Sequence, residues 1–113
     1  MMQAAPAKDE DTGLHARDAF LKKAGDAGAN EALTLLDVPA LSGLCASLPP
    51  EKSHHLLRQI GESLAASGAT AAGRISENSF GALAPATLGD LGLSQRIADV
   101  FAGADLPAPK INQ

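Results

Sequence analysis

The residues of this chain whose chemistry could be put to work are few and widely spaced. Asp37 closes an apolar run, Leu35-Leu36-Asp37-Val38, at a point where a carboxylate can offer oxygen to a hard cation or cap the turn that follows. One carboxylate is not a ligand set, so capping is the simpler reading. His54 and His55 are adjacent, and on a helix they would point about 100° apart, whereas a chelating pair needs i,i+4 spacing; both read as solvated surface. Cys45 lies between Leu44 and Ala46 with no histidine near it in sequence, which suits a small buried filler better than a nucleophile. Ser76-Glu77-Asn78-Ser79 is a polar run that could present a binding surface, although turn formation alone accounts for it. Arg17 and Asp9 are placed for an ion pair fixing the entry to a first helix, while Lys22-Lys23 and Arg58 with Glu62 are solvated faces. No nucleophile, base and orienting group come together. Binding rather than catalysis is expected, with no catalytic residues, metal site or cofactor.

The elements that must carry these residues are legible from periodicity. Residues 1–8 are Ala, Pro and charge without an apolar face and read as a flexible lead-in. Ala16, Ala19, Phe20 and Ala24 recur at helical spacing, with Asp18 and Lys22 set for an i,i+4 pair. Gly25, Gly28 and Asn30 break that helix. The stretch Ala32 to Val38, with Leu33-Thr34-Leu35-Leu36 at its centre, has strand length and two apolar faces, which predicts a strand covered on both sides at the middle of a small sheet. Leu41 to Leu48 is a short helical or turn segment. A helix follows from Pro50 to about Ser67, with Leu56, Leu57, Ile60 and Leu64 as its stripe and Gly68 as its stop. Thr70–Ile75 and Phe80–Leu83 flank the polar run as a β-hairpin. Thr87 and Asp90 resemble a capping box before a helix that buries Leu91, Ile97, Val100 and Phe101; residues 104–113 read as a tail or linker.

Composition narrows the function classes. A chain of 113 residues makes about one domain, and with 3% aromatic residues its core must be built from Leu, Ile, Val and Ala. At roughly 25 cal/mol per Å² buried, so short a chain with small core side chains is modestly stable and open to completion by a partner. A net charge of −4 and the lack of stacking aromatics argue against nucleic-acid binding. One cysteine and no secretory leader predict a cytoplasmic location, and no apolar run reaches the roughly 20 residues that span a bilayer, so direct membrane insertion is not expected.

The order helix, strand, two helices, hairpin, helix resembles the nucleotidyl-cyclase-like α+β layout, an α/β sandwich-like small sheet flanked by helices. Within it, the segment from Asp9 to Phe20 resembles the opening motif of the GGDEF, or diguanylate cyclase, domain, D-x-L-T-G-L-x-N-R-x-x-F: Asp9, Thr12, Gly13, Leu14, Arg17 and Phe20 match, while Asp11 and Ala16 depart. Leu35-Leu36-Asp37-Val38 looks like the end of the family's first strand. Arg74-Ile75-Ser76-Glu77-Asn78-Ser79-Phe80 looks like its signature hairpin with the flanking Arg and Phe kept. The resemblance covers roughly Asp9 to Phe101, within a domain expected over 9–103.

What the resemblance implies is a scaffold with an erased site. Active members hold two metal ions on acidic side chains while a 3′-hydroxyl attacks a triphosphate. Here Asp37 falls on a metal-binding position, but the signature acids fall on Asn78 and Ser79 and the close-packing glycines on Ser76 and Glu77, whose side chains crowd the nucleotide's approach. The family's lysine and asparagine after the first strand fall on Ser42 and Cys45, and its base-recognising acid near His54. The product-binding R-x-x-D falls on Ser67 to Thr70 and is absent. The family also continues into further strands, so either the domain is truncated, which would leave the sheet an exposed edge, or the tail supplies an atypical strand. The resemblance therefore implies a catalytically inactive regulatory module of bacterial cyclic di-GMP signalling, acting through a protein partner or self-association. The alternative is a GTP-sensing domain that controls a neighbour.

Overall fold

A computed structural model of the chain describes residues 8–88 and 91–113. Its elements are α1 (Arg17–Asp26), β1 (Glu31–Asp37), α2 (Leu41–Ser47), α3 (Pro50–Ala65), β2 (Ala71–Ser76), β3 (Ser79–Pro85), a 3-10 turn (Ala86–Leu88) and α4 (Leu93–Gly103). This is an α+β arrangement around one antiparallel sheet of order β1-β3-β2.

Local chemistry explains most of the boundaries. α3 starts with Pro50 in its first turn, where a missing N–H costs nothing, and buries Leu56, Leu57, Ile60 and Leu64 as one stripe. Gly68, at φ +95°, takes the left-handed conformation after it. The hairpin closes on the pair Ser76 and Ser79, with an irregularity between Arg74 and Ser76 that has the form of a β-bulge next to the turn.

The two faces of the sheet are covered unequally. Leu36, Phe80, Ala82 and Ala72 form one core with Leu56, Ile60 and Leu64 of α3 and Ile97 and Phe101 of α4. On the opposite face Gly73 and Gly81 are register partners, and Phe20 of α1 lies so close above them that a Cβ on either glycine would overlap its ring. Two glycines side by side thus make the seat for one fully buried phenylalanine, worth about 1.5–3 kcal/mol of apolar burial.

Several expectations are corrected. β1 is an edge strand; β3, flanked on both sides, holds the central place. Only one face of β1 is covered, because α1 packs over β2 and β3 and leaves Leu33 48% and Leu35 55% exposed. A run of leucines cannot distinguish a central strand from an edge strand whose outer face is bare. Thr87 lies in the 3-10 turn and α4 is entered through Gly92, at φ +66°; Asp90 lies outside the described residues, as do residues 1–7 of the expected lead-in. Residues 104–113 are tied down: Leu106 and Ile111 pack on the core, and Asn112 exchanges two backbone hydrogen bonds of 2.8 Å with Asp37.

Candidate functional site

The loop that precedes α1 is built around Asp9. Its Oδ2 accepts hydrogen bonds from the backbone N–H of Thr12 at 3.0 Å and from the Thr12 hydroxyl at 2.7 Å, and Thr12 Oγ1 in turn accepts the Leu14 N–H at 3.2 Å. Gly13, at φ +78°, completes the turn. The loop rests on α3 at Gly61, where a Cβ would collide with the Thr12 carbonyl, and its far end pairs with the outer edge of β2 through His15. The Asp-x-x-Thr-Gly-Leu spacing is therefore a folding device.

Arg74 of β2 joins this loop to the hairpin. Its Nη1 lies 3.2 Å from both Asp9 Oδ2 and Asp11 Oδ2, and its Nη2 donates to the Glu77 carbonyl at 3.3 Å. The side chain is only 13% exposed, and Nε is buried with no hydrogen-bond partner among the described residues. Burial pushes the Asp9 carboxyl up, but the two Thr12 hydrogen bonds and the Arg74 guanidinium outweigh it and hold the group below its ordinary 3.8. Arg17, assigned to Asp9 on sequence, lies instead 3.8 Å from Asp18 at the exposed start of α1. Asp18 thus meets its neighbour rather than Lys22. The correction has a plain cause: Arg74 reaches Asp9 across the fold from a position that sequence distance hides.

Around Arg74 opens a cleft of about 610 Å³, lined by Asp9, Asp11, Arg17, Ser42, Cys45, Ser76 and Glu77 among others. Besides Asp9, Asp11 and Arg17 of the opening motif, it brings together Ser42, Cys45, Ser76 and Glu77, positions singled out on sequence. Asp37 is not among the lining residues; with Ser79 and Asn112 it borders a separate hollow of about 280 Å³, and its side chain faces solvent. His54 stands at the periphery, its Nδ1 3.9 Å from Asp11 Oδ1, and is exposed, as is His55. Cys45 is half-buried against the core, and burial, with a contribution from Asp11 that Arg74 opposes, raises its thiol pKa.

The hairpin tip is fastened by its own side chains. Ser76 Oγ and Ser79 Oγ share a hydrogen bond of 2.6 Å, and the Asn78 N–H donates to Ser76 Oγ at 3.2 Å. Asn78 Oδ1 accepts the Ser42 N–H at 2.7 Å, and its carbonyl accepts the Val38 N–H at 2.7 Å, which ties the tip to the junction of β1 and α2. Among the described residues no three His, Cys, Asp or Glu side chains converge as a metal site. Among the described residues no helix is long and apolar enough to cross a membrane. The signals missed on sequence were Asp11, taken for a mere departure from the motif, and Asn112; neither has a local pattern that would mark it.

No protein-family model matches the chain, and no curated protein matches it in sequence. Solved structures do. The GGDEF domain of DgcB from Caulobacter crescentus, determined with c-di-GMP, superposes with a TM-score of 0.66 at 17% identity over 99% of this chain and 75% of that one. The S helix-GGDEF-EAL portion of Vibrio cholerae LapD, bound to c-di-GMP, gives 0.66 at 16% identity over 93% of this chain and 27% of that one. The diguanylate cyclase SiaD from Pseudomonas aeruginosa, in complex with its activator SiaC, gives 0.64 at 20% identity over 85% and 41%. At such identities it is the path of the backbone that is shared, and the chain has the fold of the GGDEF domains.

Proposed function

We propose that this chain is a catalytically inactive GGDEF-like module that acts through protein contacts in a cyclic di-GMP signalling system. The observation that carries the proposal is the state of the cleft's central cation: Arg74 is already neutralised by Asp9 and Asp11, both at 3.2 Å. A triphosphate entering there would meet two carboxylates and Glu77, with Arg17 as the other cation lining the cleft. Like charges in such proximity are repulsive by about 1 kcal/mol per pair at 4 Å in water and more where water is excluded. The hairpin supports the same reading, because Asn78 spends its amide oxygen on α2. Serine and glutamate also stand where glycines would let a nucleotide approach. Association through proteins fits the bare outer face of β1, where two large apolar side chains remain in water.

A second reading, a GTP-sensing domain, draws on one observation: the cleft's size falls within the roughly 300–1,000 Å³ of small-molecule sites. Calorimetric titration of the whole chain with GTP and, separately, with cyclic di-GMP, each with Mg²⁺, decides between them. No saturable heat is expected from either nucleotide. Saturable GTP binding that Arg74→Ala removes would overturn the first reading in favour of the second.

A further inference from the structure

Asp9 and Asp11 both meet Arg74 at 3.2 Å, yet they serve the loop before α1 in different ways. Asp9 holds the turn itself, because its Oδ2 also takes the Thr12 N–H and hydroxyl. Asp11 does nothing of the kind. Among the described residues its carboxylate touches only side chains distant in sequence: Oδ2 accepts from Arg74 Nη1, and Oδ1 lies 3.9 Å from His54 Nδ1. The backbone around it is fixed by other means. The Asp9–Thr12 bonds, the Gly13 N–H donated to the Asp9 carbonyl at 2.7 Å and the Thr12 carbonyl seated against Gly61 all form without the Asp11 side chain. That carboxylate, 47% exposed, is dispensable for the turn; what it does is lie on a cation at the wall of the cleft.

A guanidinium offers the same planar fork of donors to a carboxylate and to a phosphate, so a carboxylate resting on it stands where a phosphate oxygen would bind. Arg74 is not saturated by its present partners, since Nε has none among the described residues. The charged side chains that line the cleft are Asp9, Asp11 and Glu77 against Arg17 and Arg74. Carboxylates are thus in excess by one, and removal of Asp11 alone evens the two signs. It would leave Nη1 of Arg74 with one carboxylate, in a cleft that Arg17 and the hydroxyl-bearing Ser42 and Ser76 also line.

From these observations we infer that Asp11 is a built-in anion, an intramolecular contact that takes the place of a phosphate at Arg74 and keeps polyphosphate ligands out of the cleft. The inference rests on the reading of the cleft as closed to nucleotides, and it assigns that exclusion to one carboxylate that the turn does not need.

The test titrates the full chain and its Asp11→Ala variant with sodium tripolyphosphate by calorimetry, at low ionic strength and without metal. The unaltered chain should give no saturable heat. Asp11→Ala should bind saturably, at least about fivefold more tightly than any residual binding before the change, the factor for one like charge about 4 Å away in water and larger where water is excluded. Asp11→Asn, which keeps the shape and removes the charge, should gain binding as well. Adding Arg74→Ala to either variant should abolish it. Arg74 is buried, so Cys45 supplies a readout that does not depend on the folding of that double variant. It lines the same cleft, and tripolyphosphate should slow its reaction with a maleimide in Asp11→Ala while leaving the rate in the unaltered chain unchanged. Folded Asp11→Ala and Asp11→Asn proteins that show neither heat nor protection of Cys45 would overturn the inference and reduce Asp11 to an ion pair of the fold. Binding that survives the loss of Arg74 would overturn it too, by placing the phosphate elsewhere. Silence from the unaltered chain and from both variants removes only the role of Asp11; saturable heat from the unaltered chain with GTP removes the underlying reading.

Discussion

Asp9 shows how a residue with the look of a functional acid is used for structure. Its carboxylate is committed to Thr12 and Arg74 at distances of 2.7–3.2 Å, and these bonds hold its pKa below 3.8. A carboxyl whose folded value is depressed stabilises the fold fully above the unfolded value, and that contribution is lost as the pH falls through the folded value. Asp9→Asn should therefore lower stability near neutral pH by about 1–3 kcal/mol, the range for hydrogen bonds to charged groups, and should flatten the acid limb of the stability profile; denaturant melts between pH 2 and 7 would check both. Cys45 makes the opposite case. Its thiol is raised by burial and lies half-buried at the cleft wall, so at neutral pH it should react with a maleimide more slowly than a free thiol and speed up on denaturation. Equal rates in the folded and unfolded chain would contradict the placement.

At the scale of elements, the most demanding contact is α1 against the sheet. Phe20 is the one fully buried side chain of α1, and it is admitted only because Gly73 and Gly81 face it without side chains. Gly73→Ala should force α1 outward and cost about 1–3 kcal/mol, as overpacking does. Phe20→Ala should cost about 3–5 kcal/mol through a cavity, and the double variant should recover part of the sum, since the two changes share one space. Chemical denaturation of the four proteins measures this, and strictly additive losses would show that ring and glycine are not in contact. Much of this was readable in advance. The α3 stripe, the hairpin and its tip, and Ile97 and Phe101 of the final apolar face lie where periodicity and turn chemistry put them; Leu93 is the third buried side chain of that face, while Leu91 and Val100, expected there, are half-buried. The expected entry to α4 failed because a 3-10 turn and a glycine in the left-handed region start that helix, and neither has a capping signature.

For the molecule as a whole, the sequence determined what depends on neighbours along the chain: an α+β layout, a hairpin with a polar tip, a core without tryptophan or tyrosine, and an opening motif whose Asp9, Thr12 and Gly13 close a local turn. Tertiary structure decided everything that depends on which strand lies beside which. It moved β1 from the centre of the sheet to its edge and left Leu33 and Leu35 in water, since a period-2 pattern records alternation of side chains and says nothing of what covers them. It gave Arg74 to Asp9 and Asp11, which are 65 and 63 residues away, in place of the nearer Arg17. It also put Asp37 outside the cleft that gathers Ser42, Cys45, Ser76 and Glu77. The physical reason is common to all three: periodicity and turn propensity act over a few residues, whereas strand order and ion pairing are set by which distant surfaces the packed core brings together.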